Sequence, residues 1–472
     1  MRQLRQPMKH KALTLGGSLT ALLLLVACGG GATDTLIGTQ SQTVTSEAEV
    51  TEVSITWRIG GEDDPMERLL NDYFIPQFEA ENPDIRVVPA PIIASEADYF
   101  ARVALMLSSP ETAPDVVNQD SFQLNADASA GFLLPLDEKL AGWADFDNYI
   151  TDLKQAWVAA SGRTYGIPGS GDSRGLWFNR DVMAQAGLGR DFAPANWADI
   201  IAAAIAIRDH TDAIPFAFNV ARSAGEGVTM QTFLMLLEGT DDGLYDGDSG
   251  RWIARSQGFL DSLRLIDVVF NQEGLAPPMS IAMAPNYSQI MMQDLFPTGQ
   301  AGIVLDGFWN GIHWNEGGTA AVAHVEEHIG FAMMPTQFGQ APGGVTLAGG
   351  WGWALPYHGQ NHEAAFRVIQ GLGSMQMAAE RSVLSGDLPV RVDSATDPRI
   401  TQRPFIETAT QFLENARFRP AREAYPQISV EIQIAVEAVA GGASTPEQAA
   451  EAFERAVIAL VGEDNVILRD AQ

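Results

Sequence analysis

Short apolar strands alternate with amphipathic helices along most of this chain. Residues 53–57 alternate apolar and polar side chains as a strand does, Pro65 begins a helix that runs to about Glu81, and 85–88 form a second strand. A helix at 99–108 and a short buried strand at 114–117 follow. This order predicts a parallel α/β sheet with crossover helices.

The alternation continues through the rest of the chain. Further strands are predicted at 165–168, 175–179, 214–220, 302–305 and 329–335. Further helices are predicted at 181–187, 196–208, 259–271, 361–371 and 447–461. The last of these begins at a capping box that we assign to Ser444-Thr445-Pro446-Glu447. The alternating elements contain more residues than one hydrophobic core usually holds, which predicts two α/β lobes.

The N-terminus carries a different pattern. Arg2, Arg5, Lys9 and Lys11 precede an apolar stretch at 19–27 that is too short to span a bilayer of about 30 Å, as in a secretion signal. Leu25-Val26-Ala27-Cys28 resembles the bacterial lipobox, whose thiol receives a diacylglycerol. The alternative is an ordinary signal peptide that ends in cysteine by chance. Gly29-Gly30-Gly31 and the polar tail favour the lipobox.

We therefore predict a signal peptide at 1–27, lipidation of Cys28 and a flexible tether at 28–49. The protein is then exported and held at the cell membrane by its lipid, facing outside the cytoplasm. Cys28 is the single cysteine, so no disulfide is expected within the chain.

The chain is strongly acidic, with 29 basic and 59 acidic residues and a formal net charge of −30. Loss of the four basic residues before Cys28 would bring this to −34. Such a charge repels phosphate backbones and anionic headgroups, which argues against nucleic-acid binding. Solubility alone is a sufficient reason for this acidic charge. The charge also favours a neutral or cationic ligand over an anionic one.

Beyond the lipobox, six further segments cover nearly all of residues 50–465. They are Ser54-Ile55-Thr56-Trp57 before Glu62-Asp63-Asp64; Ala113-Pro114-Asp115-Val116-Val117 before Gly131-Phe132-Leu133-Leu134-Pro135-Leu136; Tyr165-Gly166-Ile167-Pro168 before Leu176-Trp177-Phe178-Asn179; Pro194-Ala195-Asn196-Trp197; Phe296-Pro297-Thr298-Gly299-Gln300-Ala301 before Gly307-Phe308-Trp309; and Gly349-Gly350-Trp351 before Gly386-Asp387-Leu388-Pro389. In this order they resemble the extracellular solute-binding lipoproteins of ABC importers, family 1, whose best-known members bind sugars such as maltose.

The resemblance implies a periplasmic-binding-protein fold with two α/β lobes, a hinge and a ligand cleft between the lobes. Lobe one is expected at 50–164 and 346–400, and lobe two at 165–345 and 401–470. The implied function is that of an importer's binding component, which captures a small solute, a mono- or oligosaccharide, and delivers it to an ABC permease. No catalysis, cofactor or metal is expected.

A sugar site needs aromatic faces and planar polar side chains. The resemblance implies a stacking role for Trp309 and places Trp351, Gly349 and Gly350 at the hinge crossing. The other candidates are polar or aromatic residues at strand ends and turns: Glu62, Asp63, Asp64, Asp120, Tyr165, Asp306 and Arg391. The alternative roles are core packing for the aromatic residues and favourable placement near a helix N-terminus for the first three acids.

The sequence departs from the maltose-binding pattern in two places. The stretch after Tyr425 is aliphatic around Ile432 and Val436 where the family carries a ligand Trp and Arg, and Ala221-Arg222-Ser223 lacks the family's ligand Tyr. A different or smaller sugar is therefore expected rather than a maltodextrin. A polyamine or other non-sugar solute is the alternative.

A secreted hydrolase is the alternative from another functional class. His324-Val325-Glu326-Glu327-His328 matches the H-x-x-E-H pattern of some zinc peptidases, but the helix available to it is short. The sequence contains no P-loop, and abundant carboxylates alone do not define a catalytic pair.

Overall fold

The computed structural model describes residues 50–61 and 64–469. The predicted signal peptide, the tether and Cys28 lie outside these residues, as do Glu62 and Asp63. Among the described residues, no helix is both long enough and apolar enough to cross a membrane.

A five-stranded sheet contains the strands predicted at the start of the pattern. Its spatial order is Ile85–Pro89, Thr51–Thr56, Val116–Asp120, Trp351–Ala354 and Gly166–Pro168. The first three strands are parallel, as predicted. The strand that begins at Trp351 is antiparallel to both of its neighbours. A late segment of the chain is thus inserted between two earlier strands of this sheet.

A second, four-stranded sheet is mixed. Its order is Ile329–Ala332, Arg174–Asn179, Ala301–Gly307 and Ile214–Ala217. Arg174–Asn179 runs antiparallel to both of its neighbours, and the last two strands pair in parallel. The expectation of parallel strands is wrong here, because the order of elements along the chain does not fix the direction of a neighbouring strand.

Three smaller sheets complete the strand set of the described residues. In the first, Arg58–Ile59 pairs with Ile92–Ile93; in the second, Arg251–Arg255 lies between Val466–Leu468 and Tyr245–Asp246; and in the third, Gly344–Leu347 lies between Met334–Pro335 and Ala416–Arg417.

Helices connect the strands. The longer ones are Glu96–Leu107, Trp197–His210, Gln257–Asp267, His362–Leu372, Met375–Ser385, Tyr425–Ala440 and Pro446–Val461. The shorter ones are Leu124–Ser129, Asp137–Ala141, Thr151–Gln155, Arg180–Gln185, Glu226–Val228, Leu234–Leu237, Met279–Ala282, Tyr287–Gln289, Val325–His328, Pro398–Thr401 and Ile406–Phe412.

The predicted helix from Pro65 to Glu81 is continuous, with Leu69–Phe74 in π-helical geometry between two α-helical parts. Asp64 caps it by accepting hydrogen bonds from the backbone N–H groups of Met66 and Glu67. The final helix has its capping box one residue later than predicted. Thr445 is the N-cap and Gln448 reaches back to it, because Pro446 occupies the first helical position.

Both main sheets contribute to one large apolar core, and each also packs against a smaller apolar cluster of its own. Val53, Ile55 and Trp353 of the first sheet pack with Phe74 and Leu372 from the covering helices. On the second sheet, the Trp177 ring stacks on Phe331 with centroids 4.1 Å apart and meets Trp314 edge-on at 4.8 Å. Burial of these large rings stabilises both layers and leaves the polar strand ends free to line a cavity.

Candidate functional site

A cavity of about 710 Å³ is lined by residues from both sheets. One side is formed by 58–60, 93–96 and Asp120, and the other by segments within 219–231, 282–288 and 306–309. Residues 170–174, Trp351, 385–387 and Arg419 complete its wall. Many of these residues lie at strand ends or in the turns that follow them, where the sheets leave backbone and side-chain polar groups uncovered.

Trp309 lies in this wall as expected. It follows the strand Ala301–Gly307 in a short 3₁₀ turn, Phe308–His313, and is half-buried. The turn requires glycine at 307, because a Cβ atom there would lie 2.1 Å from the Trp309 ring. The Arg174 guanidinium lies 5.1 Å from the ring centroid, within cation–π range.

Trp351 also lines the cavity, and its ring orientation is fixed by two neighbours. Phe100 stacks on it with centroids 5.3 Å apart and planes 19° apart, and Tyr99 packs against it at 5.8 Å. Trp351 therefore couples the helix Glu96–Leu107 to the wall of the cavity.

Asp120 belongs to a buried ionic network at the cavity. Arg419 pairs with Asp120 and also with Glu226, the latter at 3.1 Å. The Tyr425 hydroxyl donates to Glu226 at 3.0 Å. Burial raises the pKa of Asp120, and the Arg419 charge opposes this shift.

Asp306 is the fourth expected residue in the cavity wall. Its Oδ1 accepts the Gly307 backbone N–H at 2.7 Å. Burial raises its pKa to about 6, despite the Gly307 hydrogen bond and the charge of Arg174. A carboxyl group with this pKa changes charge near neutral pH.

Gly349 and Gly350 shape the chain crossing beside the cavity without appearing in its wall. Gly350 has φ of 150°, and a Cβ atom there would lie 1.9 Å from the Ser170 carbonyl oxygen. The Gly349 N–H donates to Asp172 at 2.8 Å. These glycines let the backbone at 349–350 approach the segment 170–172 closely.

Three other candidates lie outside the cavity. Asp64 caps its helix and borders a small recess next to Trp351. Tyr165 packs against the largest apolar core. Arg391 is 1% exposed and is held by Asp145 and Asp393, each at 2.6 Å. The Arg391 guanidinium is therefore occupied by these two ion pairs.

Sequence reasoning did not select several charged or polar residues of the wall. They are Arg58, Glu96, Asp172, Arg174, Asn219, Glu226, Gln231, Tyr287, Asp387 and Arg419. The available signal was at Ala221-Arg222-Ser223, where the resemblance implies that the family carries a ligand Tyr, and Ala221 and Ser223 line the cavity. Ile432 and Val436, by contrast, are fully buried in the core.

The H-x-x-E-H segment does not form one continuous helical face. His324 precedes the helix Val325–His328 with φ of 53°, and the strand from Ile329 follows at once. His328 Nδ1 lies 2.5 Å from Asp181 Oδ2. The described residues contain no group of three His, Cys, Asp or Glu side chains that could hold a metal ion.

A family model described as bacterial extracellular solute-binding protein matches residues 63–379. The chain belongs to this family. Membership implies an exported protein, and the family is one of binding proteins rather than enzymes.

Individual relatives of this solute-binding protein are distant. A protein of Sinorhizobium fredii, named as a probable amino-acid ABC transporter periplasmic-binding protein, is 23% identical over 361 residues, which cover 75% of this chain and 78% of the relative.

Solved structures establish the fold. Maltose-bound MalE3 of T. maritima has a TM-score of 0.75 at 21% identity and covers 87% of this chain and 100% of its own. A solute-binding protein of Agrobacterium radiobacter K84 in complex with ribitol has a TM-score of 0.71 at 19% identity, with 88% and 98% covered. The predicted fold class, a two-lobed α/β periplasmic-binding-protein fold, is thereby confirmed.

Proposed function

We propose that this solute-binding protein captures a small carbohydrate in the cavity and delivers it to an ABC permease. The observation that carries the proposal is the cavity itself, which combines two indole rings, Trp309 and Trp351, with carboxyl, amide and guanidinium groups. Indole faces suit the C–H surfaces of sugars, and the planar polar groups suit their hydroxyls. The named ligands of the similar structures, maltose and ribitol, support a polyhydroxylated solute.

In this proposal the ligand bridges two lobes, 50–164 with 346–400 and 165–345 with 401–470, and closes them around a hinge. Closure is favoured only if the solute contacts both sides, since a ligand shifts a conformational equilibrium by its differential affinity. The wall residues Asp120 and Trp309 come from different sheets, which supports this mode of binding. The closed form would then dock on the permease, and no bond of the solute is broken.

The proposal includes a lipid anchor at Cys28, which would hold the exported protein at the outer face of the cell membrane. Its support is the sequence Leu25-Val26-Ala27-Cys28 after a basic and apolar leader.

Thermal unfolding of the purified full-length protein against a panel of sugars, polyols, amino acids and polyamines tests the function. A ligand that binds only the folded state raises the midpoint with concentration. We expect a saturable shift with one class of sugar or polyol, and recovery of that ligand unchanged. A shift with amino acids alone, as the name of the rhizobial relative suggests, or with polyamines alone would exclude the carbohydrate. Recovery of a converted ligand would indicate a hydrolase.

A further inference from the structure

Two carboxyl groups line the cavity without forming an ion pair among the described residues. Glu96 is the first residue of the helix Glu96–Leu107, beside the first sheet, and Asp306 lies near the end of the strand Ala301–Gly307 in the second sheet. They therefore reach the cavity from different elements, one a helix and the other a strand.

Most other charges of the wall are already paired. Asp120 and Glu226 share Arg419, and Asp172 pairs with Arg174 at 2.7 Å. Asp387 lies 3.6 Å from Arg381, which borders the adjoining recess. Arg58 is the other guanidinium of the wall, and its Nε donates to the Ala94 carbonyl at 3.2 Å. Six carboxyl groups thus line the cavity against three guanidinium groups.

Loss of contact with water makes these two carboxylates costly to ionise, although Glu96 is half-buried whereas Asp306 is buried. This desolvation raises the pKa of Glu96 to about 7, helped by the charges of Asp120 and Glu226 and opposed by those of Arg58 and Arg419. It raises the pKa of Asp306 to about 6. A cation that entered the cavity would stabilise the charged form of both groups, because desolvated carboxylates gain most from a close opposite charge.

An independent feature of the wall also indicates a ligand. Tyr287 is 4% exposed, and its hydroxyl has no hydrogen-bond partner within the described residues. A buried hydroxyl without a partner is energetically unfavourable, so a hydroxyl or amine of the solute would relieve that cost. The Asp306 charge contributes to a raised pKa of Tyr287, after the larger effect of burial. The Tyr287 phenol therefore lies close enough to the Asp306 carboxyl group for the two groups to interact electrostatically.

We infer that the solute carries a protonated amine on a polyhydroxylated frame, as an amino sugar does, with the ammonium held by Glu96 or Asp306. The inference rests on the proposed function and names the class of carbohydrate. The indole face of Trp309 supports the carbon frame, and the acidic groups select the amine over a hydroxyl at the same position.

Matched sugar pairs test the inference by titration calorimetry on the full-length protein. The pairs are glucosamine with glucose, galactosamine with galactose, and mannosamine with mannose, with spermidine as a cation that lacks the sugar frame. We expect the amine of at least one pair to bind at least about tenfold more tightly than its neutral partner, since one charge-assisted contact contributes about that factor.

The variants Glu96→Gln and Asp306→Asn keep side-chain shape and remove one charge each. At least one of them should reduce the ratio of amine to neutral affinity about tenfold. Asp98→Asn is the matched control, because Asp98 lies on the same helix, is exposed and is not part of the cavity wall. Circular dichroism of each variant checks that it is folded.

The outcomes separate this inference from the proposed function. If a neutral sugar binds as tightly as its amine and Trp309→Ala weakens that binding, the inference is wrong and the proposed function stands. If spermidine alone binds, or if nothing binds, both the amino-sugar assignment and the carbohydrate proposal fail.

Discussion

Arg419 forms an ion pair with Asp120 at the wall of the cavity, and the two residues are only 8% and 6% exposed. Asp120 ends a strand of the first sheet, whereas Arg419 lies 299 residues later, just after the strand Ala416–Arg417. The same guanidinium holds Glu226. One cation therefore neutralises two buried carboxylates from distant parts of the chain.

Replacing Arg419 by methionine leaves both carboxylates buried and without their cation. We expect Arg419→Met to lower the free energy of unfolding by about 3–5 kcal/mol, measured by urea denaturation. The control is Arg86→Met, which removes an exposed pair with Glu52 at 3.9 Å and should cost less than about 1 kcal/mol. Equal losses in the two variants would show that the buried network does not stabilise the fold.

The sequence predicted those site residues that follow recognisable strands. Trp309 and Asp306 belong to one strand and its following turn, Asp120 ends another, and Trp351 follows two glycines. The family resemblance, together with a position at a strand end or turn, indicated these four residues, and all four line the cavity.

The paired charges could not be predicted in the same way. Arg419 and Arg391 are both arginines of an acidic chain, yet one lines the cavity and the other is enclosed by Asp145 and Asp393. Arg419 contacts Glu226, 193 positions away, and Arg391 contacts Asp145, 246 positions away, and no local pattern encodes these contacts. Asp393 is the one partner that is close to Arg391 in the sequence. The direction of the strand Arg174–Asn179 was missed for the same reason, since its partners are 301–307 and 329–332.

Trp309 should contribute more to ligand affinity than to folding, because its ring is half-buried in the cavity wall. We expect Trp309→Ala to weaken binding of the solute at least about tenfold, through loss of a stacking face, as measured by calorimetry. Trp309→Phe should retain part of the affinity. Trp143→Ala is the control, since Trp143 packs in the first-sheet core. It should lower stability and leave affinity unchanged, and the opposite pattern would contradict the assigned role of Trp309.

Gly350 should tolerate no side chain. Its φ of 150° is unfavourable for other residues, and a Cβ atom would overlap the Ser170 carbonyl at 1.9 Å. We expect Gly350→Ala to lower the thermal midpoint by more than Gly317→Ala does. Gly317 also has positive φ, at 83°, but a Cβ there meets no atom within 4 Å, so only backbone strain of about 1–2 kcal/mol is added. Similar midpoints for the two variants would show that the crossing can shift to make room.

Cys28 should determine whether the protein partitions with membranes. In cells, Cys28→Ser removes the thiol that would carry the lipid, and we expect the variant to move from the membrane fraction to the soluble exported fraction. Immunoblots of the fractions measure this. A variant that stays with the membrane would contradict the lipid anchor while leaving the binding function intact.

Asp306 should make stability depend on pH in the direction opposite to an ordinary surface acid. Its folded-state pKa of about 6 lies above the usual value of 3.8, because burial outweighs the Gly307 N–H, the Arg174 charge and the side chains of Asn219 and Asn310. The folded state therefore holds a proton that the unfolded chain releases, and stability falls as pH rises from about 4 through 6.

Asparagine at this position mimics the protonated acid and cannot ionise. We expect Asp306→Asn to gain stability relative to the parent protein as pH rises across that window, by up to roughly 3 kcal/mol at about 1.4 kcal/mol per pKa unit. Urea denaturation at several pH values measures the difference. Asp393→Asn supplies a control of opposite sign, because the hydrogen bond from Arg391 lowers the pKa of Asp393, so the stability that Asp393 contributes is lost only as pH falls below its usual pKa. If the free energy of unfolding changed with pH in the same way for Asp306→Asn and the parent protein, Asp306 would be ionised in the folded state without an energetic cost.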